Sequence, residues 1–297
     1  MSVMTGPAEL LQRCRFPDPG TPVTCAVSGG ADSLALLVLA THAGCTVTAI
    51  HVDHGVRSGS EVEADVVAAA ADRFGASFIG KRLRVEPGPN LEARLRAARY
   101  GVLPPDVLTG HTADDQAETV LLNLLRGAGR AGLAGMRPEH HPILRLRRSE
   151  TETLCDLLGL EPVRDPSNTS RDFRRNRVRN ELLPLANDIA QRDVPFLVAR
   201  TATTLREDED LLEQLASTLD PTDARALVAA PRPLAVRAIR QWLLPFLYGY
   251  PPDHDAIERV LDVAAGRSGA CEIGGGVTIR RSAQHLTVLA TPSTPAR

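Results

Sequence analysis

The stretch AVSGGADSLALL (residues 26–37) decides the fold, because two glycines and two serines crowd directly ahead of an apolar run. Ser28, Gly29, Gly30, Ala31, Asp32 and Ser33 read as a turn that leaves a strand and opens a helix. Such a turn gathers unpaired backbone N–H groups and the positive end of a helix dipole around one point, where an anion is stabilised. The glycines let the backbone approach closely, and the serine hydroxyls donate to phosphate oxygens. Asp32 would repel a phosphate unless a cation lies between them, so it reads as a ligand for Mg²⁺ bridging to phosphates. No lysine follows, and the spacing is neither GxxxxGK[ST] nor GxGxxG, which removes the P-loop NTPase and dinucleotide readings. The plain alternative is a tight turn whose serine and aspartate cap a helix.

Outward from this turn, β-type runs alternate with helical patterns. PVTCAV (22–27), TVTAIHV (46–52), ASFIGKRLRV (76–85) and DVLTG (106–110) read as strands. LALLVLATH (34–42), residues 60–74, NLEARLRAARYGVL (90–103) and ADDQAETVLLNLL (113–125) read as helices. That order predicts an α/β fold, a doubly wound and mainly parallel sheet, with the turns after Val27, Val52 and Thr109 facing one cleft. Residues 1–195 are expected to form this domain. A linker helix is expected over 196–219. Over 220–297 a second, smaller and mainly helical domain is expected, ending in a short antiparallel sheet over 271–290.

The 297 residues are 43% hydrophobic, enough for a real core, and no apolar run reaches the roughly 18 residues of a membrane span. The opening residues carry no secretory block, so a cytoplasmic protein is expected. Five widely spaced cysteines include no CxxC pair, which argues against a zinc knuckle, a cluster or a redox couple. A formal net charge of −2 argues against indiscriminate nucleic-acid coating, yet arginines cluster over 126–148 and 164–179. Only Lys81 is a lysine, so arginine abundance is partly compositional and single arginines are discounted.

Three other stretches carry chemistry. HVDHGVRSGS (51–60) places His51, Asp53 and His54 at a strand end. TGHTADDQAET (109–119) sets His111, Asp114 and Asp115 at a helix start with Glu118 one turn on, a combination suited to a cation or ammonium and to proton transfer. The following RGAGRAGLAGM (126–136) reads as a mobile loop able to wrap a polyanion. In NLEARLRAARY (90–100), Arg96 and Arg99 share a face with Glu92. DPSNTSRDFRRNRVRNELLPL (165–185) reads as an exposed basic loop.

SGGxDS after a first strand resembles the phosphate-binding signature of the N-type ATP pyrophosphatases, adenine nucleotide α hydrolase-like proteins that cleave ATP between its α and β phosphates. With HVDHG, NLEARLRAARY, TGHTADDQAET, RGAGRAGLAGM and DPSN…RNRVRNELLP in order, residues 22–185 resemble the tRNA(Ile)-lysidine synthetase branch. ILRLRRSE (143–150), read as a strand, departs from that branch in lacking a proline after its arginine.

The resemblance implies a ligase acting on a tRNA(Ile) with a CAU anticodon, with ATP, Mg²⁺ and free L-lysine. The wobble cytidine is adenylated, then lysine displaces AMP at C2. It implies ATP contacts at Ser28 to Ser33, Val52 and His54, with Asp32 on the metal. Asp32, His111, Asp115 and Glu118 are the catalytic candidates, and Arg96, Arg99, Asp114 and Asp115 the lysine contacts. Arg126, Arg130, Arg171, Arg174, Arg175, Arg177 and Arg179 are expected on tRNA. Phe173, Tyr100 and Trp242 are candidates to stack on an unstacked base. A homodimer is compatible with the branch. The alternatives are an ATP-dependent tRNA 2-thiolation enzyme and a nonenzymatic ATP-binding module.

Overall fold

The computed structural model describes residues 6–53, 60–83, 94, 98, 101–163, 171, 173–247 and 251–290. The chain forms two compact units, Met1–Arg206 and Glu207–Arg297, the boundary falling inside the helix Val194–Ala216.

In the first unit, β1 (Pro22–Ala26), β2 (Thr46–Asp53), β3 (Ser77–Arg82) and β4 (Leu108–Thr109) form a parallel sheet in the order β3-β2-β1-β4. The chain winds outward from β1 through β2 to β3 and then crosses to β4 on the other side. The strand order therefore reverses between β1 and β4, the switch point where open α/β sheets bind ligands. Register fixes which residues meet there. Ala26 lies beside both Ile50 and Thr109, so the segments after these three residues leave the sheet along one edge.

The helix Ala31–His42 explains the apolar run of the opening stretch, since every residue from Ser33 to Ala40 is buried. A helix apolar on all sides must be enclosed. This one packs against β1 and β2 and against the helices Pro7–Leu11, Ser60–Arg73 and Arg148–Leu157. Its four leucines, Leu34, Leu36, Leu37 and Leu39, are fully buried. Each contributes about 1.5–3 kcal/mol of apolar burial, which anchors the turn at its N-terminus.

Two expectations require correction. Residues 143–150 are not a strand: they form turns leading into the helix Arg148–Leu157. Ile143 and Leu146, three apart, are the fully buried pair, so one side of a turn faces the core. RGAGRAGLAGM is folded rather than a bare loop. It holds the short helix Arg130–Leu133, Ala134 is fully buried, and Gln116 clasps Met136 through both backbone and side-chain amides (2.8 and 3.3 Å). The segments 54–59, 84–93 and 164–170 lie outside the described residues, as do Tyr100 and most of the helix expected over 90–103.

The second unit has its own core, built from the helices Ala224–Ala229, Arg232–Leu243 and His254–Ala264 on an antiparallel sheet of β5 (Ala270–Glu272), β6 (Val277–Ser282) and β7 (His285–Ala290). Asp223 and Asp253 cap two of these helices by accepting backbone N–H bonds at 2.8 and 2.7 Å.

Candidate active site

Three segments converge on the switch point. The first is the turn itself. Gly29 adopts φ +89°, a left-handed conformation that glycine alone takes without strain, and its carbonyl accepts from the Val163 amide at 2.9 Å. The Ser33 hydroxyl receives the Ser28 amide at 3.1 Å and donates to the Gly30 carbonyl at 2.8 Å. Asp32 follows in the first helical turn.

The second segment leaves β4. At Gly110 an added Cβ would lie 2.5 Å from the Asp32 carbonyl oxygen, so the backbone of the β4 exit rests directly on the Ser28–Ser33 turn. Thr112 then caps the helix Ala113–Leu125, and its amide and hydroxyl both donate to Asp115 Oδ2 at 3.0 Å. One oxygen of Asp115 is thus spent on the cap. The other, Oδ1, faces three guanidiniums.

The third segment supplies what the sequence reading missed, Arg147 and Arg148 at the start of the Arg148–Leu157 helix. Arg148 Nε donates to Asp32 Oδ2 at 3.1 Å, its Nη2 donates to Asp115 Oδ1 at 2.9 Å, and its Nη1 lies 3.6 Å from Glu118 Oε1. Arg147 takes Asp114 in a two-pronged contact (2.9 and 2.8 Å), while the Arg148 amide also donates to Asp114 at 2.8 Å. Thr151 completes the shell with a hydroxyl bond to Asp32 Oδ1.

Arg175 and Arg179, from the arginine-rich segment, close the network. Arg175 Nε and Arg179 Nε each reach Glu118 at 2.6 Å, Arg179 Nη2 adds a bond at 3.0 Å, and Arg175 Nη2 also reaches Asp115 at 3.3 Å. Glu118 is fully buried, and a buried carboxylate is tolerated only when paired in this way. Four carboxylates, Asp32, Asp114, Asp115 and Glu118, therefore interlock with four guanidiniums among the described residues. Beside them a cavity of about 120 Å³ opens between Asp114, Glu118, Arg147, Arg148 and Arg179.

The electrostatics separate the acids. Burial pushes Asp32 upward, with Arg148 and Thr151 opposing and Asp115 adding to the rise. For Asp115, burial also pushes up, but Arg148, His111, Arg175 and the Thr112 amide more than offset it and hold the group below the usual carboxylate range. Asp114 is likewise held low against burial by Arg147 and Arg148. His111 stands beside this group, its Nδ1 2.7 Å from the Thr109 hydroxyl, and its ring meets that of His141 edge-on with centroids 4.7 Å apart.

The remaining candidates divide. Val52 lies at the end of β2, while His54, Arg96 and Arg99 lie outside the described residues. Arg171 and Arg177 are exposed and share Glu181 (2.9 and 3.2 Å), and Arg174 is exposed. Arg126 and Arg130 flank the folded glycine-rich segment, Arg126 exposed at the end of the Ala113–Leu125 helix. Phe173 is exposed, whereas Trp242 packs against the core of the second unit. Asp32 is a single, partly exposed carboxylate at the turn, and among the described residues no three histidines, cysteines or acids gather as a metal cage. A Mg²⁺ carried by a nucleotide needs only one or two carboxylates beside phosphate oxygens and water, and Asp32 fits that requirement.

Comparison with known proteins shows the family. Residues 8–186 match the PP-loop domain family. The tRNA(Ile)-lysidine synthase of Nocardia farcinica is 41% identical, covering 95% of this chain and 96% of its own. That of Mycobacterium leprae is 43% identical over 74% of each chain. Among solved structures, the U34-tRNA thiolase NcsA from Methanococcus maripaludis superposes with a TM-score of 0.55 over 68% of this chain and 78% of its own, at 17% identity, a likeness of fold alone. No helix among the described residues is long and apolar enough to cross a membrane. The PP-loop match over residues 8–186 and a relative at 41% identity matching nearly end to end make this chain a member of the tRNA(Ile)-lysidine synthase family.

Proposed function

We propose that the chain ligates free L-lysine to C2 of the wobble cytidine of a tRNA(Ile) with a CAU anticodon. The observation that carries this reading is the reach of Arg148. One side chain touches Asp32 at the phosphate turn and Asp115 and Glu118 at the β4 exit, so an activated base and an amine nucleophile would meet within a few ångströms.

In the first half-reaction the cytosine O2 forms a bond to the α-phosphorus of ATP, and the bond to the β-phosphate oxygen breaks. The amides of residues 29–32 and the Ser28 hydroxyl hold the departing pyrophosphate, acting where charge grows, while the Ser28 amide and the Ser33 hydroxyl brace the turn. Mg²⁺ held by Asp32 would supply charge neutralisation at those oxygens. In the second, the lysine ammonium loses a proton to His111, its nitrogen bonds to C2, and AMP leaves with the C2–O2 electron pair. Asp114, Asp115 and Glu118 attract the ammonium, taking it in place of part of the arginine network. Arg96 or Arg99 contacts the lysine carboxylate or a phosphate.

Arg126, Arg130, Arg171, Arg174 and Arg177 face the tRNA in this reading. Arg175 and Arg179, grouped with them in sequence, hold Glu118 in this structure. The unit Glu207–Arg297 serves as an accessory tRNA-binding domain of a cytoplasmic enzyme, active alone or as a homodimer. The thiolase alternative rests on shared fold alone.

The test is pyrophosphate release from ATP with unmodified isoleucine tRNA, with and without labelled lysine, scoring label in the RNA. Lysine-dependent labelling is expected. A preparation that binds ATP and tRNA yet incorporates no lysine refutes the reading.

A further inference from the structure

We propose that Thr109 and His141 are positioning residues that set the tautomer and protonation of His111 while it takes the proton of the incoming amine. The inference deepens the lysine-ligase reading and rests on it.

The three side chains come from two places. Thr109 ends β4 and His111 follows two residues on, while His141 leaves the 3₁₀ turn Pro138–His140. The Thr109 hydroxyl lies 2.7 Å from His111 Nδ1 and 2.6 Å from His141 Nδ1, with the rings inclined at 74°. A hydroxyl owns one proton. The third possible partner, the His140 carbonyl oxygen at 3.5 Å, is too far to claim it. Thr109 therefore donates to one imidazole and accepts an N–H from the other, and the two rings hold opposite roles.

Only one of the two directions makes His111 a base. If Thr109 donates to His111, that ring carries its proton on Nε2 and has no lone pair left for an amine. If His111 donates through Nδ1, its Nε2 lone pair accepts the amine's proton, and Nδ1 keeps the same bond in the neutral ring and in the imidazolium. This second direction requires His141 to accept at Nδ1 and so to stay neutral. Burial, reinforced by the charges of His111 and His140 and opposed by Asp115, pushes His141 down to about 4, so it meets that condition at neutral pH.

The charged surroundings favour the proton on His111. Asp115, from the Ala113–Leu125 helix, interacts with both rings, and Arg148, Arg175 and Arg179 hold it ionised. His140 stands beside His141 and disfavours a proton there. A proton arriving from a lysine ammonium is thus kept on His111 by Asp115, while Thr109 accepts the His111 Nδ1–H and donates to a His141 that stays neutral.

The experiment reads His111 directly. The full chain is labelled at histidine, His111 is assigned by loss of its signal in His111→Gln, and its imidazole shifts are titrated in wild type, Thr109→Val, Thr109→Ser and His141→Phe. Losing the hydroxyl removes an acceptor that binds the imidazolium Nδ1–H more strongly than the neutral one, and losing His141 frees the hydroxyl to donate to a neutral His111, so both changes favour the neutral ring. The His111 midpoint should therefore fall by at least about half a pH unit in Thr109→Val and in His141→Phe. Thr109→Ser should restore it. The acid limb of kcat/KM for lysine should move down by the same amount. An unchanged or raised midpoint in both variants overturns the proposal, whatever the activity. A lowered midpoint with an unmoved acid limb, lysine still being incorporated, overturns the link to catalysis while leaving the ligase reading intact.

Discussion

Replacing Arg148 with methionine keeps most of the side-chain volume and deletes the one cation shared by Asp32, Asp115 and Glu118. The guanidinium is about three-quarters buried, with 23% of its side chain exposed, as are its partners at 22%, 10% and 0%. Removing one member of a buried ion pair typically costs about 3–5 kcal/mol, because the remaining charge stays desolvated. Here the lower end applies: Glu118 keeps Arg175 and Arg179, Asp115 keeps Thr112, and Asp32 keeps Thr151.

The pH dependence carries a sign. A carboxylate held below its usual value, such as Asp115, contributes stability above the unfolded pKa of about 3.9 that is lost as pH falls through the folded value. Without Arg148 each acid loses the largest charge opposing its burial, so Asp115 moves up from its lowered value and Asp32 rises further. The variant therefore loses most relative to wild type at neutral pH, where both acids are ionised, and acidification narrows the gap by protonating them. Urea unfolding of the full chain followed by far-ultraviolet circular dichroism should therefore show a loss of about 3 kcal/mol at pH 7.5 that shrinks by pH 5.0. A loss below about 1 kcal/mol, or a gap that widens on acidification, refutes the claim that Arg148 neutralises these acids.

Asp32→Asn should lower pyrophosphate release by about 100-fold or more while tRNA binding, read by filter retention, stays within about twofold. Equal loss of both would make Asp32 a folding residue. Gly110→Ala drives a methyl to 2.5 Å from the Asp32 carbonyl oxygen and 3.0 Å from Ser33 Cα, both backbone atoms that cannot rotate away. A cost of about 1–3 kcal/mol and a melting temperature lower by several degrees are expected, and an unchanged melting curve would show that β4 does not rest on the turn. In the second unit Arg237 spans both oxygens of Glu209, whose side chain is 4% exposed. Arg237→Met should cost about 3 kcal/mol and adding Glu209→Gln should recover much of it, read by the fluorescence of Trp242, the single tryptophan, which packs in the same unit. No recovery in the double variant would mean that Arg237 acts through packing alone.

What sequence could and could not reveal follows from how far apart the cooperating residues lie along the chain. The SGGADS turn and the ADDQAETVLLNLL helix were legible because glycine conformation, capping and helical periodicity are local. The Ala113–Leu125 helix coincides with the expected span, and β1 and β2 end within one residue of theirs. Arg148 was not legible, because its partners Asp32 and Asp115 lie 116 and 33 residues away. Moreover, LRLR at 144–147 alternates like a strand. The contrary signal was present in Ile143 and Leu146, a spacing of three that buries one side of a turn, but two residues are too few to outweigh an alternating run. A rule independent of pattern points to the same residues. Once four acids are assigned to one buried edge, a folded chain must bring cations to them, and in a chain with a single lysine those cations must be arginines. Discounting each arginine singly as compositional therefore hid the residues that the clustered acids required.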